Sequence, residues 1–401
     1  MTRILFNYKN RRKPRRLWKF MLVFFLMSLL YMPVIVKGSA ETSGKGALNE
    51  NILEQIEKLD LDALEKYVDS LGTFSGESVG KRLLAYIDGE AFDYGGFASQ
   101  IAGVLFENVR NMLPAFACIC AIAILCGVIN SVKSNFTDKT TSEAVFLVAY
   151  VSVLIPVLAV MTECFSLAKD SVASMQKQMQ LVFPLLITLM AASGGSVSAA
   201  IYQPAAAFLS TTIVSLVTKV VFPFTLTIIA FSVAGNLTKE LKLNKFAGFF
   251  KSVNKWLIGI SISVFGIFFT VQGLTSATYD GITRRAAKYA IGTGVPIVGG
   301  FLSGGFDLAL AGSVLIKNSL GSLSIFLLVA VLFEPLLTLI AANVFLRLTA
   351  AVTQPIGESR IPDFLTETAD NLNYCTAGLL FVAFLYFLTV VLVICSSEVV
   401  F

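Results

Sequence analysis

Four ionisable residues lie inside strongly apolar sequence and are the first candidates for chemistry: Asp307, Glu334, Lys219 and Lys317. An uncompensated charge at the bilayer centre costs about 2.5 to 3.5 kcal/mol on insertion scales, so such residues should pair, contact water or serve a function. In a membrane protein they could line a polar path or relay protons. A structural interpretation stays open: the lysines could extend to the membrane surface from helix ends, and Asp307 could cap a short helix after a glycine pair.

Several residue types that enzymes use are missing from the chain. It has no histidine, which removes the commonest general base and metal ligand. It also contains no phosphate-binding G-x-x-x-x-G-K-[ST] loop. The six cysteines lie mostly in apolar runs, where Cys packs as a small hydrophobe, and Cys118-x-Cys120 has no second pair at metal spacing. We therefore predict no enzyme activity, no catalytic residue, no cofactor and no metal site; an enzyme acting inside the bilayer is the minor alternative.

Composition places the chain among membrane proteins. Of its 401 residues, 56% are hydrophobic and 14% charged, and the mean hydropathy is +0.77. Soluble domains carry roughly 25% charged residues. The sequence therefore predicts an all-α, polytopic membrane protein in contact with lipid, and it gives no indication of nucleic-acid binding.

The stretch from Tyr279 to Lys317 is the element that must position Asp307. It is apolar enough to enter a bilayer, yet its glycines and proline disfavour one regular spanning helix. Irregular backbone at membrane depth is tolerated only where protein or a water-filled cavity satisfies its polar groups. We therefore expect a broken or re-entrant segment inside a helical bundle.

A second broken stretch matches the first at a nearly fixed offset, which predicts an internal repeat over 144–236 and 256–345. Pro184 matches Pro296 at 112 residues, and the Ser-Gly-Gly run at 193–195 matches that at 303–305 at 110 residues. Paired segments interrupted by Gly and Pro point to a pathway or binding site near the midplane. The predicted pathway or gate residues are Pro184, Gly194, Gly195, Pro296, Gly299, Gly300, Gly304, Gly305, Asp307 and Glu334.

The first 111 residues divide into two segments. Residues 1–40 combine a basic region, an apolar run and a small-residue site ending at Ala40, which predicts a secretory signal sequence; an uncleaved anchor is the alternative. Residues 41–111 are predicted to be an extracytoplasmic amphipathic region, since Ile52, Ile56 and Tyr67 recur at helical spacing between charged residues. We expect a cap that packs on the membrane domain; a docking surface for a partner protein is the alternative.

Residues 112–401 are predicted to form the multi-pass membrane domain. Single spans are expected at 112–130, 144–161, 256–274, 322–342 and 376–395, with polar loops at 162–180 and 343–374. The 57 residues from Leu181 to Leu237 are too long for one span and are interrupted by prolines, so three passes are predicted there. Five lysines between 238 and 255 mark the cytoplasmic side.

Three stretches resemble the stage III sporulation protein AE family of endospore-forming bacteria: TYDGITRRAAKYAIGTGVPIVGGFLSGGFD, VLIKNSLG and QPIGESRIPDFL, between Thr278 and Leu365. The resemblance implies a polytopic protein of the mother-cell membrane that faces the engulfed forespore. It also implies that the protein works in a channel-like assembly, which resembles secretion systems and supports late forespore gene expression. The implied partners are other proteins of the stage III sporulation A operon, including a separate secretion-type ATPase, and a forespore-side protein.

The residues add a hypothesis to this resemblance: the paired broken segments form a membrane pore or export gate. Two alternatives remain. One is an ion-coupled secondary transporter that works alone, with Asp307 and Glu334 as coupling groups. The other is a passive membrane scaffold whose function resides in the N-terminal helices.

Overall fold

The computed structural model describes residues 45–71, 78–88, 94–133, 139–237, 243–294, 299–355 and 360–396. Every regular element in these ranges is helical, which confirms the all-α prediction. The helices are α1 (Lys45–Glu57), α2 (Asp62–Ser70), α3 (Val79–Ile87), α4 (Tyr94–Lys133), α5 (Lys139–Ala192), α6 (Ser196–Leu237), α7 (Asn244–Gly294), α8 (Gly299–Thr353) and α9 (Arg360–Cys395). The predicted signal sequence lies outside the described residues.

Five of the described helices are long and apolar enough to cross a membrane. These stretches are Ala102–Ile129, Glu143–Ala192, Ser196–Leu237, Asp307–Thr353 and Arg360–Cys395. The 54 residues of α5 extend over about 80 Å at 1.5 Å per residue, whereas a hydrocarbon core is about 30 Å thick. Less than half of α5 can therefore lie in hydrocarbon, unless the helix is strongly tilted.

Two loops and one group of passes predicted from the sequence are wrong. Residues 162–180 continue α5, and most of 343–374 belongs to α8 and α9. Between 181 and 237 the structure has only the end of α5, a turn and α6, because the prolines lie within helices. In 162–180 the charged residues occupy the exposed face of α5, while buried apolar residues recur at helical spacing: Cys164, Ala168, Val172, Met175 and Met179.

Six helix termini of the described chain lie together at one end of the bundle, called here the loop end. The Tyr150 hydroxyl near the start of α5 donates to the Val233 carbonyl oxygen near the end of α6, at 3.0 Å. The Arg360 guanidinium, which begins α9, lies 3.4 Å from the ring centroid of Phe146. Further contacts join the end of α4 to α5, the end of α6 to the start of α7, and the end of α8 to α9.

The opposite end, called here the turn end, carries the short turn between α5 and α6 and the N-terminal helices. Gln55 of α1 donates to the Ala309 carbonyl oxygen at 3.0 Å and accepts from the Ser313 hydroxyl at 2.8 Å. A Cβ on Gly312 would lie 3.0 Å from Asn51, so α1 packs directly against the α8 backbone. Burial raises the pKa of Tyr67 to about 12, and its protonated hydroxyl donates to the Ser174 carbonyl oxygen of α5. The described N-terminal helices therefore pack against the long helices.

Helix α9 forms the centre of the bundle, with 72% of its most apolar window buried. It packs against α5, α6 and α8. A neighbouring helix also satisfies the backbone where Pro335 interrupts it. Pro335 cannot bond to the Val331 carbonyl oxygen four residues earlier, and this oxygen instead accepts from the Ser171 hydroxyl of α5 at 3.0 Å. A proline thus stays inside α8 without leaving that carbonyl unpaired.

The exposed surface of α5 changes character along its length. Between Ala144 and Thr162 its large exposed side chains are apolar: Leu147, Val148, Val151, Ile155 and Leu158. Beyond that point they are mostly polar or charged: Thr162, Glu163, Ser166, Lys169, Asp170, Lys177 and Gln180. Exposed apolar side chains also occupy the loop-end parts of α4 and α8, as at Leu125, Val344 and Leu348. On α7, exposed apolar side chains also occur farther from the loop end, for example at Ile267.

Candidate functional site

Gly194 and Gly195, two predicted gate residues, form a helix-capping turn. Gly194 has φ of 84°, a left-handed conformation that glycine adopts without steric cost. The Gly195 amide donates to the Met190 carbonyl oxygen at 2.9 Å, and the Gly194 amide donates to the Ala191 carbonyl oxygen at 3.0 Å. These two bonds are the Schellman pattern that ends α5. Pro184 lies inside α5 and is exposed.

The other predicted glycines begin α8 instead of interrupting it. Gly299, Gly300, Gly304 and Gly305 all have helical backbone, and Pro296 lies outside the described residues. The repeat is not confirmed: the Ser-Gly-Gly run at 193–195 is a turn, whereas its counterpart at 303–305 is helical. The two predicted glycine segments therefore differ in structure.

Asp307 and Glu334 are both exposed and do not form one site. They are separated by 27 positions along the continuous helix α8, which corresponds to about 40 Å at 1.5 Å per residue. Direct sharing of one ion or proton is therefore excluded for this conformation. In the ion-coupled alternative the two carboxylates would have to act at separate sites.

Lys317 is the buried one of the two lysines singled out in the sequence. It is 0% exposed, and its Nζ donates to the Val393 and Ile394 carbonyl oxygens at 3.0 and 2.8 Å. Those carbonyls belong to the last turn of α9, where backbone acceptors lack intrahelical partners and the helix dipole favours a cation. Lys317 therefore caps a neighbouring helix, which differs from the structural interpretation that it extends to the membrane surface. Lys219 is exposed on α6.

Helix α6 is locally widened where it faces α7 and α9. Residues Leu209–Ile213 and Val217–Val221 are π-helical. The Val221 carbonyl oxygen accepts from the Thr225 hydroxyl at 2.7 Å and from the buried Asn254 amide of α7 at 3.3 Å. Such π-turns occur frequently at functional sites. The second π-helical segment, Val217–Val221, lies beside Gly378 of α9, where an added Cβ would lie 3.0 Å from Phe222.

Glu367 forms the most distinctive polar group in the described bundle, and the sequence analysis missed it. Its Oε2 accepts from the Ser232 hydroxyl and from the Asn236 amide of α6, the latter at 3.0 Å. The residue was missed because its polar run, TETADNLN, was interpreted as part of a loop. Three polar residues in it nevertheless lie at helical spacing, at 367, 368 and 371, which is the signal that could have been used.

Two side chains next to Glu367 on α9 are buried with unpaired polar atoms. Thr368 and Asn371 are both 0% exposed. The Thr368 hydroxyl and both polar atoms of the Asn371 amide have no hydrogen-bond partner among the described residues. An unsatisfied buried polar group costs about 1–3 kcal/mol, so a ligand that bonds to these atoms would stabilise the fold.

The described residues include no cluster of three or more His, Cys, Asp or Glu side chains that could hold a metal ion. None of the six cysteines, all of which lie in the described ranges, forms a disulfide. The oxygen atoms near Glu367 are therefore the chemically most notable group in this part of the chain. Carboxylate, amide and hydroxyl oxygens suit hard cations and water rather than soft metals.

Comparison with known proteins gives a family. The family model described as stage III sporulation protein AE matches residues 80–397. The chain is also similar to stage III sporulation protein AE of Bacillus subtilis (strain 168), with 25% identity over 390 residues that cover 93% of this chain and 98% of the relative. No solved structure matches the chain. The chain therefore belongs to the stage III sporulation protein AE family.

Proposed function

We propose that this chain is a non-enzymatic, multi-pass component of the mother-cell membrane. It works in a channel-like assembly that resembles secretion systems, links mother cell and engulfed forespore, and is required for late forespore development. The observation that carries this proposal is the family match across residues 80–397. Its proposed partners are other proteins of the stage III sporulation A operon, including a separate secretion-type ATPase, and a forespore-side protein.

In this proposal the loop end faces the mother-cell cytoplasm. The lysine-rich stretch between 238 and 255 includes the start of α7 at this end, and positive residues favour the cytoplasmic side. The apolar exposed part of α5, from Leu147 to Leu158, extends over about 17 Å and lies in the hydrocarbon. The charged part beyond Thr162 projects from the opposite face toward the forespore. The N-terminal helices that pack there are then extracytoplasmic.

Cysteine labelling tests this orientation. On a cysteine-free background, Thr188→Cys and Ser196→Cys probe the turn end, whereas Lys245→Cys and Gln354→Cys probe the loop end; all four positions are exposed. In intact vegetative cells that produce the chain, we expect a membrane-impermeant maleimide to label the first pair. The second pair should react only after permeabilisation. Labelling of all four positions in intact cells, or the reverse pattern, would contradict the orientation.

We further propose that the start of α8 forms the pore or export gate of the assembly, because its four glycines allow close approach of another backbone. In a sporulating strain that lacks its own copy of this gene, the wild-type chain should restore heat-resistant spores. The double variant Gly304→Leu, Gly305→Leu should lower their number by several orders of magnitude, because the added side chains prevent that approach. Heat-resistant colony counts give the result.

The control for this experiment is Gly259→Leu on α7, where an added Cβ would meet nothing within 4 Å. Immunoblots of membrane fractions must show equal amounts of each variant. Normal sporulation of the double variant would refute the gate and favour the passive scaffold. If the strain that lacks this gene formed heat-resistant spores in normal numbers, the proposed function itself would be refuted.

A further inference from the structure

Helix α9 carries a stripe of polar side chains that the proposed function does not use. At about 100° per residue, Glu367, Asn371 and Thr368 fall at 0°, 40° and 100° around the helix. Gly378 falls at about 20° on the same scale, and it packs against Phe222 of α6. Since Ser232 of α6 also reaches Glu367, this side of α9 faces α6.

The carboxylate in this stripe has no basic counter-ion among the described residues. Glu367 is only partly exposed and accepts two hydrogen bonds, both to Oε2 and both from neutral groups. No lysine or arginine in the described part of the chain forms an ion pair with it. A charge in an apolar helical bundle is expected to be compensated, by protonation or by a bound cation.

The neighbouring side chains supply oxygen atoms without partners. Asn371 Oδ1 and Thr368 Oγ1 are fully buried and accept no hydrogen bond from any described residue. Asn371 follows Glu367 by four residues and Thr368 by three, so its side chain lies beside both on the helix surface. Carboxylate, amide and hydroxyl oxygens are the ligands that hard cations select.

We infer that Glu367, Thr368 and Asn371, together with the Ser232 hydroxyl of α6, form a binding site for one small monovalent cation of the sodium type. One carboxylate balances one positive charge, whereas calcium sites usually use several carboxylates. A bound cation would satisfy the unpaired oxygens and neutralise Glu367 at the same time. This inference goes beyond the proposed function and does not depend on it.

Thermal unfolding of the purified full-length protein in detergent tests the site. Sodium chloride is varied against choline chloride at constant ionic strength, because ligands that bind only the folded state raise its stability with concentration. We expect a saturable rise of several degrees in Tm with sodium. Glu367→Gln should abolish the rise, and Asn371→Ala should increase the sodium concentration for half-effect at least tenfold.

The matched control is Asp363→Asn, which removes an exposed carboxylate one turn earlier on α9 and should keep the full sodium response. Binding of radioactive sodium to the wild-type protein provides a second measurement that needs no variant. One ion per chain, displaced by unlabelled sodium but not by choline, is expected. A wild-type protein without sodium response or binding, or a full response in Glu367→Gln, would overturn the site. Stability that depends on pH alone would also overturn it and indicate protonation of Glu367.

Discussion

Replacing Lys317 by methionine is expected to destabilise the bundle by about 2–4 kcal/mol, because hydrogen bonds from a charged group contribute about 1.5–3 kcal/mol each and desolvation of the ammonium offsets part of this. The substitution keeps most of the volume of the side chain, so the loss of stability measures the hydrogen bonds of the ammonium rather than the creation of a cavity. Without the ammonium, the Val393 and Ile394 carbonyl oxygens lose their Lys317 donor at the end of the central helix. Chemical unfolding in mixed micelles, followed by tryptophan fluorescence, gives the measurement.

Lys219→Met is the matched control for this prediction. Lys219 is exposed on α6, so its replacement should change the free energy of unfolding by less than about 0.5 kcal/mol. Lys317→Arg gives a further comparison, because it keeps the charge but must fit a larger planar group into a fully buried position. If Lys317→Met were as stable as the wild type, the cap would contribute nothing measurable and the buried charge would need another explanation.

The features that follow from local periodicity could be predicted from the sequence. Ile52, Ile56 and Tyr67 recur at helical spacing, and all three are buried, as their pattern indicated. The apolar composition correctly predicted membrane-type helices. The lengths of those helices were wrong, because a polar exposed face in residues 162–180 was interpreted as a loop. An amphipathic helix that leaves the membrane and an extended loop have similar average polarity, and only the spacing of the apolar residues separates them.

The features that depend on distant parts of the chain could not be predicted. Lys317 finds its partners 76 and 77 residues away, at the end of α9. A glycine such as Gly194 can be required either for a positive φ or for close approach of another backbone, and the sequence alone does not distinguish these two requirements. The polar group around Glu367 forms only because α6 and α9 are antiparallel neighbours, and no local sequence pattern predicts that arrangement. These are the places where tertiary packing, rather than propensity, decides the structure.

Gly378→Leu is expected to separate α6 from α9 and to destabilise the protein by about 3 kcal/mol or more, at the upper end of the cost of overpacking a core. A Cβ at this position alone would lie 3.0 Å from Phe222, 3.2 Å from Val217 and 3.4 Å from Val221. The further carbons of leucine have no space, because all three neighbours are buried on α6. Unfolding in mixed micelles should show the loss, and Gly378→Ala should show a smaller one.

Two comparisons separate this clash from a general effect of leucine in a membrane helix. Gly248→Leu on α7 should be nearly neutral, since an added Cβ there meets nothing within 4 Å. Phe222→Ala, which alone creates a cavity, should recover part of the stability when it is combined with Gly378→Leu, because neighbouring substitutions are not additive. The double-mutant cycle measures this coupling directly. Strict additivity, or a harmless Gly378→Leu, would mean that α6 and α9 do not need close contact at Gly378.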